Sequence, residues 1–128
     1  YGNSIVANGA GRKANKAKAA AFVKITQRAF ADCVKTPAPC IQALIEANGA
    51  LRVDNETVNW QLVTVLMSDN VSRTVALGWH DDKRMADDYK LVSAYVKIDK
   101  PYDVKEAYTN EFLDKSIKMT AVPEPKFN

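Results

Sequence analysis

The feature that most constrains the fold of this chain is the stretch TVNWQLVTVLMSDNVSRTVALGWH. Two runs rich in β-branched and apolar residues flank Asp69 and Asn70, which is the sequence pattern of a β-hairpin. With these two residues at the turn, Trp60 lies opposite Trp79. Apolar residues occupy both faces, which is typical of a strand covered on both sides. We therefore predict a central hairpin over about 58–79 whose second face contacts a helix, another strand or a partner chain.

The sequence before the hairpin predicts two helices. Ala, Lys and Arg, which are strong helix formers, dominate from about Arg12 onwards. Apolar residues then recur at three- and four-residue spacing, which indicates an amphipathic helix of about twenty residues with its basic residues on the opposite side. Pro37 ends this helix, because proline disfavours helical geometry at the residue before it. A second short helix, CIQALIEAN, is expected to end at Asn48 and Gly49.

The sequence after the hairpin predicts one more strand and one more helix. Residues 90–98, KLVSAYVKI, alternate in polarity and indicate a strand. Asp103 as N-cap, with Glu106 three residues further on, forms a capping pattern that predicts a helix over about 104–115. We expect one α+β domain spanning 1–128, in which the two N-terminal helices pack on an antiparallel sheet formed by the hairpin and this strand. An irregular arm over 1–11 and a Pro-containing tail over 121–128 flank it.

The two cysteines, Cys33 and Cys40, lie on either side of a Pro-Ala-Pro break between the two predicted helices. This spacing brings them close enough for a disulfide, which would restrict the unfolded chain and stabilise the fold by about 2 kcal/mol. A disulfide would also indicate an oxidising compartment, extracytoplasmic or in the lumen of an organelle. The alternative is a pair of buried, reduced thiols.

Charge is distributed unevenly along the 128 residues, although the net charge is only +3. Residues 1–35 hold seven bases and one acid, whereas the remainder holds eleven bases and fourteen acids. Such asymmetry can mark a surface for an anionic partner or for neighbouring subunits, or a lysine-rich helix that simply faces water. We expect the basic side of the first helix to bind a partner through Lys13, Lys16, Lys24, Arg28 and Lys35.

No catalytic or cofactor-binding constellation is evident in the sequence. His80 is the only histidine and is followed by Asp81 and Asp82, but consecutive residues point in different directions and do not form a site by themselves. Two cysteines and one distant histidine are too few for a zinc site. Asn55 and Asn70 begin N-glycosylation triplets, which matter only in a eukaryotic secretory setting. We therefore predict no enzyme activity, cofactor or metal.

These observations favour a non-catalytic protein that acts by protein–protein interaction, as a structural or accessory subunit of a larger assembly. Two alternatives stay open. One is a viral or phage coat protein that contacts nucleic acid through the basic first helix. The other is a small ligand-binding domain or enzyme with a pocket between helices and sheet. The sequence has no run of 18 apolar residues, so we expect no transmembrane helix within it.

Overall fold

A computed structural model describes residues 4–120 of the chain. Within that range there are six α-helices, one 3₁₀ turn and no β-strand, so the predicted α+β fold with an antiparallel sheet is wrong. The predicted tail over 121–128 lies outside the described residues. The first helix begins inside the stretch predicted to be an irregular arm, and only 4–8 lack regular structure there. The helices are α1 (Gly9–Ala14), α2 (Lys16–Lys35), α3 (Pro37–Ala47), α4 (Val53–Met67), α5 (Asn70–Thr74) and α6 (Asp82–Tyr95).

The predicted hairpin over 58–79 is wrong because its proposed turn is the beginning of a helix. Asp69 is the N-cap of α5: its carboxylate accepts from the Ser72 backbone N–H at 2.6 Å, and the Ser72 hydroxyl accepts from the Asp69 N–H at 2.9 Å. A two-residue hairpin turn needs positive φ, whereas φ of Asp69 is −114°. Trp60 and Trp79 are consequently not paired. Trp60 packs against Phe30 with ring centroids 6.0 Å apart.

The first β-branched run forms α4 because a helical stripe within it contacts the rest of the protein. Thr57, Trp60, Thr64 and Met67 recur at three- and four-residue spacing and are less exposed than most of their neighbours on this helix. Asp54 and Glu56 lie in the first turn, where acidic side chains favour the helix dipole. The preference of Val and Thr for strands depends on context and is overridden here.

The predicted strand over 90–98 is also wrong, since most of it belongs to α6. Helix α6 begins upstream of the predicted strand, at the N-cap Asp81, whose carboxylate accepts from the Arg84 N–H at 2.9 Å. An ion pair between Lys83 and Asp87, one turn apart, supports its first half. Helical geometry then continues to Tyr95 through residues whose alternation suggested a strand.

The helix predicted over 104–115 is reduced to a single 3₁₀ turn at Val104–Glu106. Its predicted N-cap is present, because the Asp103 carboxylate accepts from the Lys105 N–H. Beyond it, the Asn110 side chain accepts from the His80 backbone N–H at 2.9 Å and donates to the His80 carbonyl at 2.8 Å. This long-range pairing holds the segment in an irregular path.

The two predicted N-terminal helices correspond to α2 and α3, but they pack on helices and loops. Trp60 of α4 reaches α2 and donates from its indole nitrogen to the Cys33 carbonyl at 3.2 Å. Helix α3 contacts both α2 and α4. Four apolar side chains within residues 4–120 are buried, which is few for a chain of this length: Ile41, Ala76, Leu77 and Met119.

An extended C-terminal segment completes the packing. The Met119 N–H donates to the Ser72 carbonyl and the Leu77 N–H donates to the Ile117 carbonyl, both at 2.9 Å. Gln27 of α2 is buried and joins the same region: its amide donates to the Leu77 carbonyl at 2.8 Å and accepts from the Asp114 N–H at 2.8 Å. A polar side chain therefore anchors α2 to the C-terminal half of the protein.

Candidate functional site

The chain has a small core and an unusually large surface. Its accessible area is 9596 Å². A compact folded monomer of 14.1 kDa exposes roughly 6,700 Å² by the usual scaling of surface with mass, so the excess is about 2,900 Å². Seventeen large apolar side chains within the described residues are exposed. Single exposed apolar residues are normal, but contiguous apolar patches mark interaction sites.

The first such patch is the outward face of α2, defined by Phe22, Ile25 and Ala29. These residues are spaced three and four apart and all three are exposed, Phe22 by 60% and Ile25 by 66%. Phe22 and Ile25 belong to the apolar side that the three- and four-residue spacing of this helix indicates, and such a side usually packs inward, but both residues are exposed. Gln27 is buried on the opposite side instead, so the apolar face of α2 points to solvent.

The second patch is the outward face of α4, defined by Val58, Leu62, Val65 and Leu66. All four are exposed, and Leu66 is 83% exposed. They lie on the side of the helix away from Trp60 and Thr64, which face the rest of the protein. In the sequence, the signal for this patch was that apolar residues occupy both faces of the predicted hairpin over about 58–79, so that its second face also needed a contact.

A third patch lies at the C-terminal end of α6. Its members are exposed at adjacent positions of the last turn and just beyond it: Leu91, Val92, Tyr95 and Val96. Nearby, the rings of Tyr89 and Tyr102 meet edge to face at 5.1 Å. Only residues near the start of α6 were considered as site candidates from the sequence, so this patch was missed.

The predicted basic partner surface is partly neutralised within the chain. Lys16 pairs with Glu111 at 3.0 Å and Lys24 pairs with Asp114 at 2.7 Å. The pKa of Asp114 is strongly lowered, chiefly by its hydrogen bond with Lys24. Among residues 4–120, no ion pair involves the other three members of the predicted surface, which are Lys13, Arg28 and Lys35.

The structure contains the Cys33–Cys40 disulfide, with 5.8 Å between the two Cα atoms. It joins the last turn of α2 to the first turn of α3 across Thr36. The indole of Trp60 donates to the carbonyl of Cys33, so α4 is tied to the same elbow. A disulfide is compatible with an oxidising compartment.

A groove of about 610 Å³, open to solvent, lies between α3 and the start of α4. Its lining combines apolar groups with the amide of Gln42 and the hydroxyl of Thr57, and it includes the two prolines of the elbow, Pro37 and Pro39. No titratable side chain lines it. General acid–base chemistry needs such a group within hydrogen-bond reach of the substrate.

His80 is half-buried at the end of the loop before α6. Its ring lies 5.6 Å from that of Tyr108, and the Tyr108 hydroxyl donates to Asp82 at 2.7 Å. Burial lowers the pKa of His80, although a hydrogen bond with Asn110 opposes the shift. Within the described part of the chain, no group of three or more His, Cys, Asp or Glu residues is arranged to hold a metal ion.

Both glycosylation triplets fall on helices. Asn55 is exposed in the first turn of α4, and Asn70 is exposed as the first residue of α5. The serine of the second triplet, Ser72, is buried and its hydroxyl hydrogen-bonds with Asp69. Asn70 therefore does not lie at the turn of the predicted hairpin, but it is still exposed to solvent.

Comparison of the chain with protein-family models, with curated proteins and with solved structures finds no match. Function must therefore be inferred from the geometry of the described residues. None of the helices between residues 4 and 120 is both long enough and apolar enough to cross a membrane.

Proposed function

We propose that this protein is a non-catalytic structural or accessory subunit of a larger protein assembly. The observation that carries the proposal is the disproportion between a small core and three exposed apolar patches on α2, α4 and α6. Contiguous apolar patches on a protein surface mark interaction sites, because subunits bury such patches against their neighbours.

The three patches lie on different helices, so one chain could make more than one contact. A standard interface buries about 800 Å² on each partner, and obligate interfaces bury more. Subunits of obligate assemblies derive much of their stability from those contacts, which fits the few buried apolar side chains seen here.

We further propose that the assembly resides in an oxidising compartment, outside the cytoplasm or in an organelle lumen. The Cys33–Cys40 disulfide supports this location, because thiols in reducing compartments are kept reduced. The check is intact-mass analysis of protein from its source after alkylation without reductant. Two alkylated cysteines per chain would contradict the proposal, and none would support it.

Nucleic-acid binding through the basic residues of the predicted first helix, which lie on α1 and α2, receives less support. Lys16 and Lys24 are engaged by Glu111 and Asp114, so part of the basic charge is already neutralised. Binding to nucleic acid depends on free cations that release counterions, and its affinity falls steeply with added salt. We expect no salt-dependent binding to single- or double-stranded oligonucleotides at low ionic strength. Clear binding would favour the nucleic-acid alternative.

The main experiment is the native mass of the protein in its source extract, measured by size exclusion with light scattering and antibody detection. We expect a complex well above the 14.1 kDa of one chain. A denatured sample run in parallel marks the position of the single chain. Elution as a monomer in the extract, together with a monomeric purified protein at high concentration, would refute the proposal.

A further inference from the structure

We propose that the outward face of α2 in one copy of this chain docks on the outward face of α4 in a second copy. The faces are Phe22, Ile25 and Ala29 on one helix and Val58, Leu62, Val65 and Leu66 on the other. This inference rests on the proposed role as an assembly subunit and names the partner of two of its patches: another copy of the same chain.

The two faces are similar in length. From Phe22 to Ala29 the helix rises about 10 Å, and from Val58 to Leu66 it rises about 12 Å. When the two helices lie parallel, Phe22 meets Val58 and Ile25 meets Leu62. The small side chain of Ala29 then faces large Val65 and Leu66, as ridges-into-grooves packing requires.

Charge favours this pairing over the pairing of like helices. Helix α4 carries two acids and no base. Helix α2 carries five bases and one acid, and within the described residues neither Lys18 nor Arg28 takes part in an ion pair. Contacts between two α2 helices or two α4 helices bring like charges together, which is unfavourable.

One charged pair sets the register. Lys18 lies one turn before Phe22, and Asp54 lies one turn before Val58. Both are exposed. In the parallel arrangement, Lys18 therefore lies beside Asp54 at the rim of the contact. A rim pair contributes to specificity and association rate more than to affinity, so its reversal tests orientation.

The contact joins two different surfaces, so it is heterologous. Each copy offers one α2 face and one α4 face, and the contact can repeat into a ring or an open chain. Two standard contacts per copy would bury about 1,600 Å² of each chain.

The test uses the purified full-length chain with its disulfide intact and two variants, Ile25→Asp and Leu66→Asp. Both side chains are largely exposed, so we expect both variants to fold. Each variant loses one face and keeps the other, and each alone should self-associate at least tenfold more weakly than wild type. Mixed in equal amounts, they should form a 1:1 dimer that grows no further, because only one productive contact remains.

The matched control is Val6→Asp, which places the same charge on an apolar residue that is 89% exposed and lies outside the three patches. It should leave self-association unchanged. Lys18→Glu should weaken association severalfold, and combining it with Asp54→Lys should restore it. Sedimentation velocity gives the masses, and urea unfolding verifies that each variant is folded.

The outcomes separate this inference from the proposed function. A purified chain that stays monomeric while the source extract contains a complex without a second copy would overturn the α2–α4 contact and leave the subunit role standing. Association that Leu66→Asp abolishes and Ile25→Asp does not would show pairing between like α4 faces and would also overturn it. A monomer in both settings would remove both proposals.

Discussion

Gln27 should be the most sensitive polar position of the fold. Replacing it with methionine keeps the size of the side chain but removes its hydrogen bonds to the Leu77 carbonyl and the Asp114 N–H, both 2.8 Å. A buried donor or acceptor left without a partner costs about 1–3 kcal/mol. Since two groups lose their partner, we expect Gln27→Met to lower the free energy of unfolding by about 2–4 kcal/mol.

Urea unfolding followed by tryptophan fluorescence measures this change. For a slope of about 2 kcal/mol/M, the expected loss lowers the midpoint by roughly 1–2 M. The matched control is Gln42→Met, because Gln42 is exposed and its amide donates only to Glu46 on the same helix, at 3.1 Å. The control should lie within about 0.5 kcal/mol of wild type. A Gln27→Met variant as stable as this control would refute the anchoring role.

Three further predictions follow from local contacts. Lys24 lowers the pKa of Asp114, so the stabilisation from this pair should be complete above about pH 4 and lost as the pH falls towards the lowered pKa. In urea unfolding at a series of pH values, Asp114→Asn should therefore lose less stability on acidification than wild type. Equal losses of stability in the two proteins would contradict this prediction. Replacing Cys33 and Cys40 with serine should cost about 2.5 kcal/mol by the loop-entropy relation, measured by thermal unfolding against wild type without reductant. Trp60→Phe keeps an aromatic ring but removes the donor to the Cys33 carbonyl, and should cost about 1 kcal/mol by urea unfolding; no change would show that this hydrogen bond is not stabilising.

Local signals in the sequence located the N-terminal helices well. The break at Pro37 and the end at Asn48 correspond to α2 and α3, whereas the predicted start near Arg12 lies in the separate helix α1. The elbow between them brings Cys33 and Cys40 within bonding distance, and a short separation in sequence made that geometry predictable. The N-cap at Asp103 could also be predicted, since its carboxylate accepts a backbone hydrogen bond where the pattern indicated the start of a helix.

The central stretch was misread because its β-branched residues satisfy two periodicities at once. Val63 and Val65 alternate as in a strand, while Thr57, Trp60 and Thr64 follow helical spacing. Only the contacts of Trp60 with α2 show which periodicity applies. The Asp69 pattern was equally ambiguous, because aspartate favours both turns and helix N-caps.

The sequence also could not predict which side of α2 is buried or which acids pair with its lysines. Phe22 and Ile25 look like a core face, yet Gln27 is buried because Leu77 and Asp114, far along the chain, satisfy its amide. The pairing of Lys24 with the same distant residue follows from that docking. Such contacts depend on tertiary packing and carry no local signal.

The central claim is that the outward faces of α2 and α4 are covered in the native protein. Carbene footprinting of the assembled material from its source, compared with the dissociated and refolded chain, measures the exposure of Phe22, Ile25, Leu62 and Leu66 directly. We expect these four residues to be labelled at least severalfold less in the assembled sample, while Val6, which is 89% exposed in the isolated chain, serves as an internal reference. Equal labelling of the four residues in both samples would contradict the claim.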